Sequence, residues 1–248
     1  MSTKRALEGL ETVHMSAAGI ERRALVRPSS ESGLSPVAFV FHGRGGSAEG
    51  AAASLPLHEV FAEATVVYPQ GVPGQKARRD PEGRRPSWQR MPGELDDRDV
   101  HFFDAALEML TERHPFDPTR VYLVGQSNGG RFANLLWSQR GMRIAALCSA
   151  GSQGGRLIAD APPRSVLMVI GEKDHVAPRE GQEKSIALAR VRLGTDPGTA
   201  RIDGLLRSET GPDGLELATW IHPGGHEFPR AALPAVAAFF RRHALPAA

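Results

Sequence analysis

The sequence predicts an α/β domain, with a mostly parallel central sheet and helices on both faces. Three observations carry that expectation. Short, continuous apolar runs recur along the chain, segments of helical periodicity separate them, and Gly-rich turns follow the ends of several runs.

The elements follow in order. Segments around Glu11 to Met15 and Glu21 to Arg27 alternate weakly, and suggest an exposed β-hairpin within residues 1–30. The run Val37-Ala38-Phe39-Val40-Phe41 is apolar at every position, the mark of a strand buried on both faces. Ala64 to Tyr68, Arg120 to Val124, Ile144 to Cys148 and Ser165 to Ile170 are similar, and Leu217 to Ile221 closes the series. Between them, Val100, Phe103, Leu107 and Leu110 recur at three- and four-residue steps, as one face of a helix must. Phe132, Leu135 and Leu136 mark a second helix, and Leu233, Val236, Ala237 and Phe240 a third. Asp96, Asp97 and Asp99 stand where the first of these helices begins, so capping and dipole complementarity account for them without a cation.

Two connections stand out by length. Residues 70–96 form a long Gly-, Pro- and Arg-rich loop containing Trp88, and are expected to lie over a site. Gly151 to Arg164, in contrast, is too short to hold a cap domain. The whole of 1–248 reads as one domain with an open site.

Composition narrows the function classes. Hydrophobic residues make up 41% and charged residues 23%, as in a soluble globular protein, and the formal net charge is only +2. Nucleic-acid binding would call for a dense basic face, whereas the one basic stretch, Lys76 to Arg85, is broken by Asp80, Pro81 and Glu82 and reads as a solvated loop. No apolar run approaches the roughly 18 residues of a membrane span, and the N-terminus lacks the apolar core of a signal peptide, so a cytoplasmic protein is expected. The single Cys148 excludes an internal disulfide and falls in an apolar run, where a buried, inert thiol is expected. The nine histidines form no H-E-x-x-H and have no thiolate cluster beside them, so neither a metal nor a cofactor is expected.

The chemistry should lie just beyond the strand ends, where open α/β sheets bind ligands. Gly125-Gln126-Ser127-Asn128-Gly129 follows one buried run and precedes a helical pattern. That context turns a common G-x-S-x-G into a nucleophile elbow, with Ser127 on a strained turn, Gly125 and Gly129 sparing it collisions, and Gly130 allowing close helix packing. A serine hydroxyl needs a base to take its proton. Beyond the Ser165 to Ile170 run lies Asp174, the candidate acid, with Glu172 its rival. After the final run comes His226, on a turn opened by Gly224 and Gly225; His222 lies inside the strand, and His175 is too close to Asp174 to turn back onto it. The order Ser127, Asp174, His226 leaves room for a strand-and-helix unit in each interval. Oxyanion donors are expected from the N–H of Asn128 and from the loop His42-Gly43-Arg44-Gly45-Gly46, at Arg44 with Gly45 as the fallback. Gly45 and Gln126, which flank these donors, are the expected substrate contacts.

With these residues in place, the chain resembles the polyhydroxybutyrate depolymerase and feruloyl esterase group of α/β-hydrolases. The resemblance runs from about Val37 to Phe240. It is carried by Phe41 to Gly46, Tyr68-Pro69-Gln70-Gly71, Ser87-Trp88-Gln89 with Asp97-Arg98-Asp99-Val100, the Gly125 to Gly130 elbow, Asp174 to Pro178 and Gly224-Gly225-His226. It implies the capless α/β-hydrolase fold, a Ser127–His226–Asp174 triad, and a Trp88 that lines the acyl or alcohol pocket, although the residue alone equally suits a hydrophobic plug under the loop. It further implies hydrolysis of short-chain, aryl or hydroxyalkanoate esters through an acyl-enzyme. The chain departs from secreted members in lacking disulfides, and has Glu227-Phe228 where Thr-Trp often follows the histidine; small or oligomeric esters are favoured over polymers. Two other readings are a carboxylesterase or thioesterase of the phospholipase/carboxylesterase type, against which the long Trp88 loop counts, and a non-catalytic hydrolase-like binding protein, which would usually lack a triad member.

Overall fold

A computed structural model of the chain describes residues 7–246. Ten strands form one sheet: β1 (Glu11–Ala17), β2 (Ile20–Arg27), β3 (Ser35–Phe41), β4 (Thr65–Pro69), β5 (Phe116–Gln126), β6 (Ala146–Ala150), β7 (Ser165–Gly171), β8 (Arg201–Asp203), β9 (Leu206–Thr210) and β10 (Glu216–His222). Their spatial order is β1-β2-β4-β3-β5-β6-β7-β10-β9-β8. The six central strands, from β4 to β10, run parallel, and an antiparallel pair flanks them on each side. Every residue of β3, β4, β6 and β7 is buried, as continuous apolar runs covered on both faces require.

Among the described residues six α-helices cover the sheet: α1 (Ala48–Ser54), α2 (Arg98–Arg113), α3 (Asn128–Arg140), α4 (Arg156–Asp160), α5 (Arg179–Leu193) and α6 (Leu233–Arg241). Their apolar stripes divide between two cores. Val100, Phe103, Leu107 and Leu110 of α2 join Phe132 and Leu135 of α3 on one face, and Val236, Ala237 and Phe240 of α6 pack on the other. The connection from Gly151 to Arg164 holds only the one-turn α4. Among the described residues, no helix is long and apolar enough to cross a membrane.

Alternation and periodicity misplace some features. The first hairpin is not an exposed appendage, because β2 pairs with β4 and buries Ala24, Leu25 and Val26. The part of residues 1–30 that precedes Leu7 lies outside the described residues. The β8–β9 pair and helices α1, α4 and α5 carry too short or too polar a pattern to announce themselves. The acidic residues before α2 do not cap it with their side chains. Asp96 and Asp97 sit at φ 55° and 53°, in the left-handed region, and Asp97 Oδ1 accepts from Gln89 Nε2 (2.7 Å) and from the Gly93 N–H (2.9 Å). Asp99 is buried and faces Arg22 of β2 at 2.9 Å, with both side chains fully inaccessible.

That pair joins the edge hairpin to α2 and to the long loop, because Asp99 Oδ2 also accepts from the Gln89 N–H (2.8 Å). Burial pulls the Arg22 guanidinium below its ordinary value, and the neighbouring Asp99 opposes that pull. The guanidinium lies 4.0 Å from the Phe102 ring centroid, so its flat face is covered as well. Removing one member strands the other charge in the core. Asp99→Ala should lose about 3–5 kcal/mol of stability in urea unfolding; a loss below about 1 kcal/mol would mean that water reaches Arg22.

Candidate active site

The parallel strands end level with one another. Phe41 lies opposite Gly125, Gln126 opposite Ala150, and His222 opposite Gly171. The loops that follow β3, β5, β6, β7 and β10 therefore open onto one edge of the sheet.

Ser127 occupies the turn between β5 and α3 at φ 56°, ψ −118°. A non-glycine residue held there stores on the order of 1–3 kcal/mol of strain. Its N–H donates to Ala150 O (2.8 Å) and its carbonyl accepts from the Arg131 N–H (2.9 Å), which locks the turn. The surrounding glycines are demanded by backbone. A Cβ on Gly125 would stand 2.2 Å from Gly129 O, and one on Gly129 would stand 2.3 Å from Phe41 O.

Ser127 Oγ lies 2.8 Å from His226 Nε2, and His226 Nδ1 lies 2.8 Å from Asp174 Oδ2. The structure thus brings together the three side chains singled out in the sequence. The loops that bear Asp174 and His226 are tied by main-chain bonds, Glu172 N–H to His222 O and Lys173 N–H to Gly224 O, each 2.9 Å. Gly171 permits this contact, since a Cβ there would stand 1.9 Å from Gly225 O. Gln126 Nε2 donates to His226 O (3.1 Å) and steadies the histidine from the other side.

Asp174 is buried, and burial alone would raise its carboxyl. The His226 hydrogen bond, with donors from the Ala177 and Val176 N–H groups (2.8 Å each), outweighs that and holds it below the usual carboxylate range. Glu172, the rival acid, points to solvent and is absent from this chain of contacts. His222 is buried in β10, where its Nδ1 accepts from the Gly224 N–H (3.2 Å). His175 is exposed at the cleft rim.

The loop after β3 lies against Ser127. A Cβ on Gly43 would be 3.5 Å from Ser127 Cβ. The N–H of Gly45 is already donated to Pro86 O (2.7 Å), which removes Gly45 as an alternative donor. Among the described residues the Arg44 N–H has no acceptor, and the Asn128 N–H stands at the first turn of α3, where no intrahelical carbonyl can reach it. His42 sets the loop's shape. Its Nε2 accepts from the Gly71 N–H (3.0 Å), which places the ring proton on Nδ1, donating to Gly43 O (2.7 Å). Burial pushes this imidazole below the ordinary histidine value, so it stays neutral.

Beside Ser127 lies a cleft of about 700 Å³, with Gly45 and Gln126 in its wall. A second lobe of about 470 Å³ adjoins it on the side of Arg131 and Gly151. With the fold and this geometry set out, comparison with solved structures is decisive for the architecture. The acetyl xylan esterase of Aspergillus awamori superposes with a TM-score of 0.72 at 12% identity, covering 93% of this chain and 99% of that one. The Bacillus cereus carboxylesterase gives 0.63 at 16% identity, over 89% and 94% of the two chains. The fold is that of the α/β-hydrolases. A ferulic acid esterase is also similar, at a TM-score of 0.65 and 12% identity over 94% of this chain and 97% of that one. In sequence, the chain is 32% identical over 152 residues to NocK of Nocardia uniformis subsp. tsuyamanensis, named as an inferred esterase. That match takes in 59% of this chain and 42% of NocK, so the chain spans less than half the length of this relative. No family model matches the chain.

Within this α/β-hydrolase frame, Trp88 departs from the role that the sequence resemblance implies. It is fully buried and does not line the cleft. Its ring stacks on Phe132 (5.2 Å between centroids) and meets Phe41 edge-on (5.3 Å), and its Nε1–H donates to His42 O (2.9 Å). An indole beneath the loop after β3 buries its apolar body and satisfies its one polar atom, a better placement than exposure in a wet cleft. The Asn128 side chain, which sequence reasoning missed, exchanges two bonds with the Trp88 main chain: Trp88 N–H to Asn128 Oδ1 (2.7 Å), and Asn128 Nδ2 to Trp88 O (2.9 Å). Its place directly after the nucleophile was the only available signal. Residues 70–93 thus form a wall tied down at Trp88.

Two outcomes follow. Gly129→Ala should disrupt the elbow against Phe41 O, lowering stability by about 2 kcal/mol or more and abolishing reaction at Ser127, as read by urea unfolding and by labelling with a fluorophosphonate. Asp174 has a lowered folded-state pKa, so its ionised form stabilises the fold above the ordinary carboxylate range, and that contribution is lost as the pH falls through the depressed value. The stability gap between wild type and Asp174→Asn should therefore narrow as the pH is taken from about 6 to about 3; a gap constant with pH would mean that the carboxylate gains nothing from the fold.

Proposed function

We propose that this chain is a serine hydrolase that cleaves carboxylic esters through an acyl-enzyme. The observation that carries the reading is the continuous contact from Ser127 Oγ to His226 to Asp174, at 2.8 Å per step, beside an open cleft. His226 Nε2 takes the Ser127 proton as Oγ attacks the ester carbonyl. The Arg44 and Asn128 N–H groups receive the oxyanion, in a place where fixed dipoles need not reorganise. The imidazolium then protonates the leaving alkoxide, and water repeats the cycle on the acyl-enzyme. Asp174 holds the Nδ1–H tautomer and steadies the imidazolium without taking its proton.

The names of the fold neighbours and of NocK support ester hydrolysis as the reaction class. The sequence resemblance to polyhydroxybutyrate depolymerases and feruloyl esterases supports short-chain, aryl or hydroxyalkanoate esters. The absence of a cap over Ser127 fits substrates that enter sideways along the cleft.

Wild-type protein should release 4-nitrophenol from 4-nitrophenyl acetate. Ser127→Ala should lower kcat by about 10⁴-fold or more, and Asp174→Asn by about 10⁴-fold with little change in KM. Equal, slow release by wild type and Ser127→Ala would overturn the reading.

A further inference from the structure

The long loop brings an uncompensated positive charge to the cleft. The protein as a whole is nearly balanced, with 30 Lys and Arg against 28 Asp and Glu. The lobe beside Ser127 is not balanced. Arg44, Arg78, Arg79 and Arg85 line it, and no carboxylate does. Arg90 and Arg131 extend the same sign into the second lobe, which also has no carboxylate in its wall.

Local pairing neutralises Arg44 and Arg90, through Asp80 and Glu94, but not the other four. Among the described residues, Arg78, Arg79, Arg85 and Arg131 have no carboxylate partner, whereas the neighbouring Arg84 is paired with Glu82 and Arg90 with Glu94. Of the two acids within the loop's tip, Glu82 is taken up by Arg84, and Asp80 is buried and turned inward. It accepts from the Arg84 N–H (3.0 Å) and the Arg85 N–H (3.1 Å), and meets the Arg44 guanidinium at 3.3 Å. Asp80 therefore acts as the anchor of a turn that carries Arg78, Arg79 and Arg85 outward. Gln75 O accepts from Arg44 as well (2.7 Å), holding loop and oxyanion segment together. Arg85 lies across the Gly45 backbone, where a Cβ would stand 3.5 Å from Arg85 Cδ. The stem of one arginine thus crosses the segment expected to bind the oxyanion.

A single exposed arginine gains little from an ion pair in water. Several that converge on one concave wall without counter-charge focus the field and attract anions into the cleft. The guanidinium fork also suits a planar carboxylate, which it can bind bidentately.

We propose that the substrate is an ester bearing a carboxylate or similar anionic group, held by Arg78, Arg79 and Arg85 while Ser127 attacks its ester carbonyl. This rests on the ester-hydrolase reading and adds the chemical class of the substrate.

The test pairs each anionic ester with its neutral counterpart. Mono-4-nitrophenyl adipate against methyl 4-nitrophenyl adipate places the charge on the acyl side; 4-acetoxybenzoate against methyl 4-acetoxybenzoate places it on the leaving-group side. Each kcat/KM is normalised to the ester's own alkaline hydrolysis rate. In one of the two pairs the anionic ester should be preferred by about tenfold or more at low ionic strength, chiefly through KM. The preference should fall several-fold in about 0.5 M salt. It should shrink towards one in the triple variant Arg78→Ser/Arg79→Ser/Arg85→Ser, and largely persist in the corresponding triple lysine variant. Ser127-dependent turnover with no anionic preference in either pair, or a preference that the serine variant leaves intact, overturns the proposal alone. Absence of Ser127-dependent turnover of all four esters overturns the hydrolase reading and this proposal with it.

Discussion

The two hydrogen bonds that Asn128 exchanges with the Trp88 main chain are the fastening on which the site depends. Asn128 opens α3 directly after the strained Ser127, and Trp88 reaches beneath the loop after β3 to the His42 carbonyl. One short set of contacts thereby joins the elbow, the donor loop and the long wall. The aromatic packing of Trp88 on Phe41 and Phe132 covers that junction from the core side, while Asn128 closes it at the cleft.

The other half of the site is tied differently. Main-chain bonds between the β7 and β10 loops set the distance between Asp174 and His226, and Gly151 supplies the floor. A Cβ on Gly151 would stand 3.1 Å from the His226 ring and 3.5 Å from Asp174 Oδ2. The imidazole is therefore placed by backbone ties between its two loops and by the Gly151 floor, with the Asp174 carboxylate and the Gln126 amide completing its contacts. Strain at Ser127 is sustained by the same economy: the energy of an unfavourable φ is offset by hydrogen bonds to β6 and within α3.

Much of this could be read in the sequence, because it follows from short-range rules. Fully apolar runs specify buried parallel strands, and a Gly-framed serine between a strand and a helix specifies a turn of one kind. The order of Asp174 and His226 after it then limits which loops can meet. What stayed hidden depends on long-range partners. Trp88 could be a pocket wall or a buried plug on sequence grounds, and only its contacts with Phe132 and His42 decide for the plug. Asp99 looked like helix-start chemistry until Arg22, 77 positions earlier, came to lie beside it. Lys76 to Arg85 looked like a solvated tip because charge in a line of sequence says nothing about the concavity it will face.

The buried position of Asp80 has a consequence for how such a protein can diverge. The segment between Gln75 and Pro86 is held at its base, by Asp80 against Arg44 and by Pro86 O against the Gly45 N–H, while its tip makes few contacts with the rest of the fold. Side chains at Arg78, Arg79, Glu82 and Arg84 can be exchanged without disturbing Ser127, Asp174 or His226. The cleft thus has a separable faceplate: its tip can be rewritten to change what is admitted while the Ser127, His226 and Asp174 contacts stay as they are.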